Sequence, residues 1–157
     1  IRARGPSRGL GDVYKRQERG RNPIFTNSIP LLLVGCNYPG KITALGGEVR
    51  AVSHALTGAL ALNWLDQLHF DYALLGASAI MGDSVRTTEI QEAALKMAIH
   101  SHADQCFLLA DAKKCTESAA VKFLQLSDFN AWYVDAALPE QDAAEWSKNY
   151  QLLINRC

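Results

Sequence analysis

Apolar residues in this chain fall into short runs of three to six, separated by clusters of small and polar residues, with stretches of helical period between them. From residue 23 onward the pattern predicts alternating elements. Ile24-Phe25-Thr26 reads as a strand, and Ser28 as the cap of a short helix from Pro30 to Cys36, with proline in its first turn. Asn37-Tyr38-Pro39-Gly40 is a turn, and Lys41 to Leu45 a second strand closed by Gly46-Gly47-Glu48. Thr57-Gly58 opens an amphipathic helix, Ala59 to Leu68, with Leu60, Trp64, Leu65 and Leu68 at helical spacing. The run Tyr72 to Leu75 has the length of a buried strand, and a loop of small residues starts at Gly76-Ala77-Ser78.

A helix then runs from Thr88 to about His102. Thr88 and Gln91 have capping-box spacing, and Glu92 and Lys96, at i and i+4, share one face. Cys106 to Asp111 is a continuous apolar strand ending in a carboxylate, with Lys113-Lys114 just beyond it. Ala119 to Leu126 reads as helical and Ala131 to Asp135 as a strand. Pro139 to Lys148 is a helix with proline at its first position, and Gln151 to Asn155 a last strand. Strands that are apolar throughout, alternating with helices, predict an α/β fold with a mostly parallel sheet flanked by helices on both faces.

Composition changes this picture little. The 157 residues suffice for one well-buried core, and 48% apolar with 20% charged residues is ordinary for a globular chain. No run of about 18 apolar residues predicts a membrane span, and the N-terminus lacks the apolar region of a signal peptide. Cys36, Cys106, Cys115 and Cys157 show no paired short spacing, which predicts free thiols in a cytoplasmic protein.

Charge is more informative, because the net of zero conceals a division. Residues 1–22 carry seven Lys/Arg against two Asp/Glu, a net of +5, while residues 23–157 carry nine against fourteen, a net of −5. The acidic body argues against a nucleic-acid surface on the folded part. The leader, with almost no apolar periodicity, reads as a disordered or non-native extension, and its Gly-Asp-Val-Tyr-Lys-Arg-Gln stretch resembles translated sequencing-adapter sequence.

In a parallel α/β sheet, ligands bind beyond the carboxyl ends of the strands. Here those positions are Thr26-Asn27-Ser28, Gly46-Gly47-Glu48, Gly76-Ala77-Ser78, Asp111 with Lys113-Lys114, and Asp135. Backbone amides and lysine suit a phosphate, while Asn, Glu and Asp suit hydroxyls, so the set fits a polyhydroxylated anion. Each residue is also an ordinary turn former. His100, His102 and Cys106 form an H-x-H-x3-C cluster, but positions i and i+2 of a helix point to different sides, so no metal is expected. Proton abstraction would need a positioned base. The loop from Gly76 to Gly82 holds no carboxylate, and Glu92 stands alone on its helix, so no catalytic residue and no cofactor is assigned.

These residues resemble a family. Residues 24–157 are similar to the C-terminal effector-sensing domain of DeoR-type bacterial transcription regulators. The resemblance is carried by Thr26-Asn27-Ser28, Leu45-Gly46-Gly47-Glu48-Val49-Arg50, Leu75-Gly76-Ala77-Ser78, Thr87-Thr88 with Glu92-Ala93 and Lys96, and Leu109-Ala110-Asp111 with Lys114. It implies a Rossmann-like fold akin to ribose-5-phosphate isomerase and glucosamine-6-phosphate deaminase, a sugar-phosphate effector, and the regulatory half of a repressor that acts as a homo-oligomer. It also implies that Asn27, Gly47, Gly76 and Ala77 line the pocket, that Glu92 receives a sugar hydroxyl, and that Lys114 reaches phosphate or sugar oxygens. A sugar-phosphate isomerase or deaminase is the alternative the same fold offers.

The chain departs from the family pattern in three places. No Asp-x-Gly-Thr-Thr loop precedes Thr26, no helix-turn-helix is present, and Ser78-Ala79-Ile80-Met81 and Lys114-Cys115-Thr116 replace the usual residues. The expectation is therefore an N-terminally truncated sensor, residues 23–157, which contacts DNA only through an absent domain and whose phosphate site is incomplete.

Overall fold

The computed structural model of the chain describes residues 2–3 and 22–157. The leader predicted over residues 1–22 otherwise lies outside the described residues. The chain forms two compact units, residues 1–71 and 72–157.

In the first unit, β1 (Arg2–Ala3) pairs antiparallel with β2 (Ile24–Thr26), and β2 pairs parallel with β3 (Ile42–Ala44). Helix α1 (Ile29–Val34) starts where the sequence places it: the Ser28 hydroxyl accepts the Leu31 amide at 3.3 Å, and Pro30 occupies an early position whose amide has no helical partner. The last residues of the expected helix tighten into a 3-10 turn, Gly35–Asn37. The Gly46-Gly47 turn does not simply close β3. It leads into an unforeseen antiparallel pair, β4 (Glu48–Arg50) and β5 (Ala55–Thr57). Gly46 and Gly47 take φ values of +78° and +110°, and a Cβ on Gly47 would overlap the Thr57 carbonyl oxygen, whereas Gly46 faces open space.

Helix α2 (Ala59–Leu65) buries Ala61 and Leu65, while Leu60 and Trp64 are exposed. The expected stripe of Leu60, Trp64, Leu65 and Leu68 thus splits. Two interleaved i, i+4 pairs offer themselves to the core, and periodicity cannot choose between them. The Phe25 and Phe70 rings meet at 5.8 Å in this unit.

In the second unit four strands lie in the order β12–β11–β9–β6: β6 (Phe70–Gly76, which starts in the first unit's sequence), β9 (Ala103–Leu109), β11 (Ala131–Val134) and β12 (Leu153–Arg156). β11 runs parallel to both β9 and β12, as an α/β fold requires. Leu108 and Trp132, register partners, are fully buried, and Trp146 on α4 (Glu140–Tyr150) stacks on Trp132 at 5.6 Å. Among the described residues, the opposite face keeps apolar side chains exposed. Tyr72, Leu74, Leu109, Tyr133 and Leu153 are 40–61% exposed, and Tyr72, Phe107 and Tyr133 form a row of ring contacts at 6.0 and 6.1 Å.

Two further expectations give way. The small-residue loop after Gly76 contains β7 (Ala79–Met81), and it returns as β8 (Ser84–Thr87) through a two-residue Gly82-Asp83 turn with Gly82 at φ +61°. The segment Ala119–Leu126, expected to be helical, instead supplies β10 (Val121–Gln125), paired antiparallel with β8. Val121 and Phe123 favour an extended chain, and the edge of β8 provides the partner that local pattern could not reveal.

Helix α3 (Ile90–Ser101) packs on β8, β9 and β10, but its cap is Glu89 rather than Thr88. The Glu89 carboxylate accepts the Gln91 and Glu92 amides, both at 2.9 Å, two donors where a hydroxyl would satisfy one. In α4, Pro139 caps the helix instead of occupying its first turn, and Gln151 ends it in the left-handed region at φ +51°.

The two glycines give a paired test. By chemical denaturation, Gly47→Ala should cost about 2–4 kcal/mol, through strain plus a backbone clash, and Gly46→Ala only about 1 kcal/mol. Equal costs would remove the β4–β5 approach as the reason for Gly47.

Candidate functional site

The carboxyl edge of the second unit brings several predicted residues together. A Cβ on Gly76 would stand 3.8 Å from the Leu109 carbonyl oxygen, so the ends of β6 and β9 are side by side. Beyond Gly76, Ala77 and Ser78 continue the chain towards β7, and the Ser78 amide donates to the Arg86 carbonyl at 2.9 Å. β9 is held to its end. The Ala110 amide donates to the Tyr133 carbonyl at 3.3 Å, and the Trp132 indole donates to the Ala110 carbonyl at 2.9 Å. Asp111 then starts a 3-10 turn, Ala112–Cys115, which packs against β7. The Lys114 amide donates to the Asp111 carbonyl at 3.1 Å, and the Ala112 amide to Asp135 Oδ1 at 2.9 Å. Gly76, Ala77, Ser78, Asp111 and Lys114 are thus neighbours by construction of the sheet.

Between β9, β11 and the chain end lies an open cavity of about 320 Å³, lined by Leu109, Ala110, Asp111, Tyr133, Val134, Asp135 and Cys157. Its polar groups are mainly carboxylates. The Cys115 thiol nearby reports this environment. Burial first, and then the charges of Asp111, Asp135 and Asp142, push its pKa up to about 11. Carboxylates accept hydroxyl protons and repel phosphate, so this cavity suits the uncharged part of a sugar.

Positive charge comes from the turn. Lys114 Nζ lies 2.9 Å from Glu117 Oε2, and Lys113 Nζ lies 3.8 Å from Glu117 Oε1. The hydrogen bond from Lys114, ahead of its charge, holds the Glu117 carboxyl below the usual glutamate range; reciprocally, Glu117 holds the Lys114 ammonium above the usual lysine range.

On α3 the structure assigns a packing role. Glu92 is buried and Lys96 nearly so; they pair at 2.9 Å, with Lys96 Nζ 5.0 Å from the Phe123 ring centroid on β10. The i, i+4 partnership of the sequence is thus made, and it clamps the helix to the antiparallel strands. Thr88 is an exposed residue ahead of the Glu89 cap.

In the first unit the predicted residues have fold contacts of their own. Thr26 Oγ1 accepts the Ser28 amide at 3.0 Å, Asn27 Nδ2 donates to the Leu56 carbonyl at 3.2 Å, and the Ser28 hydroxyl caps α1. Glu48 opens β4 opposite Thr57, leaving Gly46 with open space around it. A second cavity, about 270 Å³, is apolar: Phe25, Thr43, Ala44, Leu45, Trp64 and Leu68 line it.

The His100, His102 and Cys106 cluster is occupied otherwise. His100 Nε2 meets the Asp128 carbonyl at 3.0 Å, His102 Nδ1 meets the Ala98 carbonyl at 2.8 Å, and burial pushes the Cys106 thiol up to about 12. Sequence reasoning had Asp135 among the strand-end residues suited to a polyhydroxylated anion, without a role of its own. It missed Glu117 entirely, although three residues after a lysine is a contact spacing in a helical turn.

Two measurements follow. Lys96→Ala should destabilise the chain by about 2–4 kcal/mol in denaturant unfolding, since it leaves the buried Glu92 without this ammonium; a loss under ~0.5 kcal/mol would deny the clamp. For Glu117, the lowered folded pKa means a stabilising contribution that is present above the unfolded glutamate pKa and lost as pH falls through the lowered value. The raised pKa of Lys114 adds the mirror term, present below the unfolded lysine pKa and lost as pH rises through the folded one. Side-chain carboxyl NMR should therefore show Glu117 titrating below the other exposed glutamates, and moving up towards them in Lys114→Met.

Comparison with known proteins gives the chain's family. The family described as "DeoR C terminal sensor domain" matches residues 17–136. A lactose phosphotransferase system repressor of Streptococcus mutans is 24% identical over 135 residues, 84% of this chain and 53% of that protein. Proteins of the same description are 26% identical over 130 residues in Staphylococcus aureus (81% and 51%) and 27% identical over 115 residues in Staphylococcus epidermidis (71% and 46%). The chain spans about half the length of the curated relatives it matches.

Proposed function

Because this chain belongs to the DeoR C-terminal sensor domain family, we propose that it is the effector-sensing part of a bacterial transcriptional repressor, and that its effector is a phosphorylated sugar. The carrying observation is chemical. One turn at the carboxyl edge of the second unit offers the Asp111 carboxylate to a cavity shared with Asp135, and the Lys114 ammonium three residues later. Carboxylates for hydroxyls beside an ammonium for an oxyanion is the donor set a sugar phosphate needs. The relatives' description as repressors of a lactose phosphotransferase system agrees with control by a sugar.

In this reading the backbone of Gly76-Ala77-Ser78 flanks the ligand. In the first unit, Thr26, Asn27 and Ser28 already have fold partners. Glu92 and Lys96 would act through the helix they hold, not by touching ligand. Binding rather than catalysis is favoured by the segment from Gly76 to Gly82, which carries no carboxylate to serve as a base.

DNA contact is assigned to the part of the relatives' length that this chain does not span, and the whole repressor to a cytoplasmic homo-oligomer. Among the described residues, no helix is long and apolar enough to cross a membrane. Signalling would be a population shift: an effector that binds one arrangement of the Asp111–Lys114 turn better than another changes the balance of states linked to DNA binding.

Titration calorimetry of the chain against a panel of sugar phosphates tests the assignment. Lys114→Met should weaken binding about ten-fold, from loss of an ionic hydrogen bond, and Asp111→Asn about three-fold, because the amide oxygen still accepts but without the charge. Binding that neither variant changes would place the effector elsewhere.

A further inference from the structure

Lys114 already has an anionic partner within the chain. Glu117 Oε2 sits at 2.9 Å from its ammonium, the distance of a charge-assisted hydrogen bond, and the other carboxylate oxygen lies 3.8 Å from Lys113. One side chain thereby engages both lysines of the turn. Its own position makes release easy. Glu117 lies in the irregular stretch after the 3-10 turn, outside any strand or helix, with its side chain about one-third exposed. The backbone just beyond is anchored separately, by Arg86 Nη1 donating to the Ala119 and Ala120 carbonyls at 3.3 and 3.1 Å. Rotation of the Glu117 side chain alone therefore frees Lys114 without disturbing β10 or the turn.

We propose that Glu117 is an internal competitor: it occupies the oxyanion position on Lys114 until a phosphate displaces it, and so sets the anionic charge a ligand must carry to bind. The inference rests on Lys114 being the effector's anion contact, as argued above. A phosphate monoester brings a charge of about −1.5 to −2 and three acceptor oxygens at neutral pH, against the single charge and two oxygens of a carboxylate. It can replace Glu117 on Lys114 and still reach Lys113. An unphosphorylated sugar offers no charge, and a sugar carboxylate only equals what it must expel, so both are turned away by competition rather than by shape.

The decisive variant is Glu117→Gln, with Glu117→Ala as a second that removes the amide as well. Glu140→Gln serves as control for a change of overall charge, because Glu140 is almost fully exposed and its nearest ion-pair partner, Arg156, lies 3.9 Å away. The full chain is titrated with inorganic phosphate and, separately, with acetate, following the Lys114 side-chain NMR signals assigned through Lys114→Met. In Glu117→Gln and Glu117→Ala, phosphate should bind about three- to five-fold tighter, the worth of releasing a surface ion pair, and acetate should gain by at least the same factor, so that discrimination does not rise. Glu140→Gln should change neither. If phosphate shifts the Lys114 signals equally in wild type and both Glu117 variants, the competitor role is overturned while the anion contact stands. A gain in Glu140→Gln equal to that in Glu117→Gln would also overturn it, as a general charge effect. If phosphate moves the Lys114 signals in no protein, Lys114 is not the anion contact, and both the inference and the assignment it rests on fall.

Discussion

The hydrogen bond from the Trp132 indole to the Ala110 carbonyl is the tie on which the second unit's working edge hangs. Trp132 is fully buried and stacked on Trp146, so its N–H has no water to turn to and must find a partner inside. The partner it takes is the last carbonyl before Asp111. With the Ala110 amide bonded to Tyr133 at the same point, the chain leaves β9 in a set direction. In the middle of the strand, Asn130 Oδ1 accepts the Cys106 amide at 2.7 Å, so β9 is tied to the residues before β11 there as well as at its end. Everything after Asp111, including the turn that carries Lys114, inherits its position from these bonds.

That placement separates two kinds of charge within a few residues. Asp111 and Asp135 lie on the cavity side, where they add to burial in raising the Cys115 thiol, while Lys113 and Lys114 lie on the turn, where the single Glu117 carboxylate pairs with both. A sugar and a phosphate make opposite demands: hydroxyls want acceptors, and an oxyanion wants donors and positive charge. In the proposed site, Asp111 and Asp135 would meet the first demand and Lys113 and Lys114 the second. On the far side of β8 and β10, the Glu92–Lys96 pair meets a packing demand instead, with Phe123 supplying the face on which the lysine rests. Pairs of the same chemical type thus carry different roles, and burial distinguishes them.

Much of the strand-and-helix order was legible from residue types. Ser28 before Pro30 and the apolar runs at Tyr72–Leu75, Cys106–Asp111 and Ala131–Asp135 each specify their element through local chemistry. The errors cluster where pairing between distant segments decides. Val121 to Gln125 reads as helix until the edge of β8 is present to receive it, and Glu48 to Arg50 reads as the tail of a turn until β5 returns beside it. The cap shifted from Thr88 to Glu89 because two carboxylate oxygens satisfy two amides and one hydroxyl satisfies one. The α2 stripe was ambiguous for a different reason, since Ala61–Leu65 and Leu60–Trp64 obey the same period.

For the site, residue types placed Asp111 and Lys114 at a strand end, and a strand end is where backbone groups leave the ladder of a parallel sheet and ligands can be met. Linear order could go no further. Whether a lysine faces a ligand or a neighbour depends on three-dimensional distance, and Lys96 and Lys114, alike in sequence as lysines near a glutamate, differ in this. Lys96 is locked between Glu92 and Phe123, whereas Lys114 sits in a half-open turn against one displaceable carboxylate. Local chemistry along the chain was enough to name the parallel strands, the helices between them and the residue types at the strand ends, but not the antiparallel pairs. Packing alone selected which charges are spent on the fold and which are left able to exchange partners, because desolvation and competing partners exist only once distant segments meet.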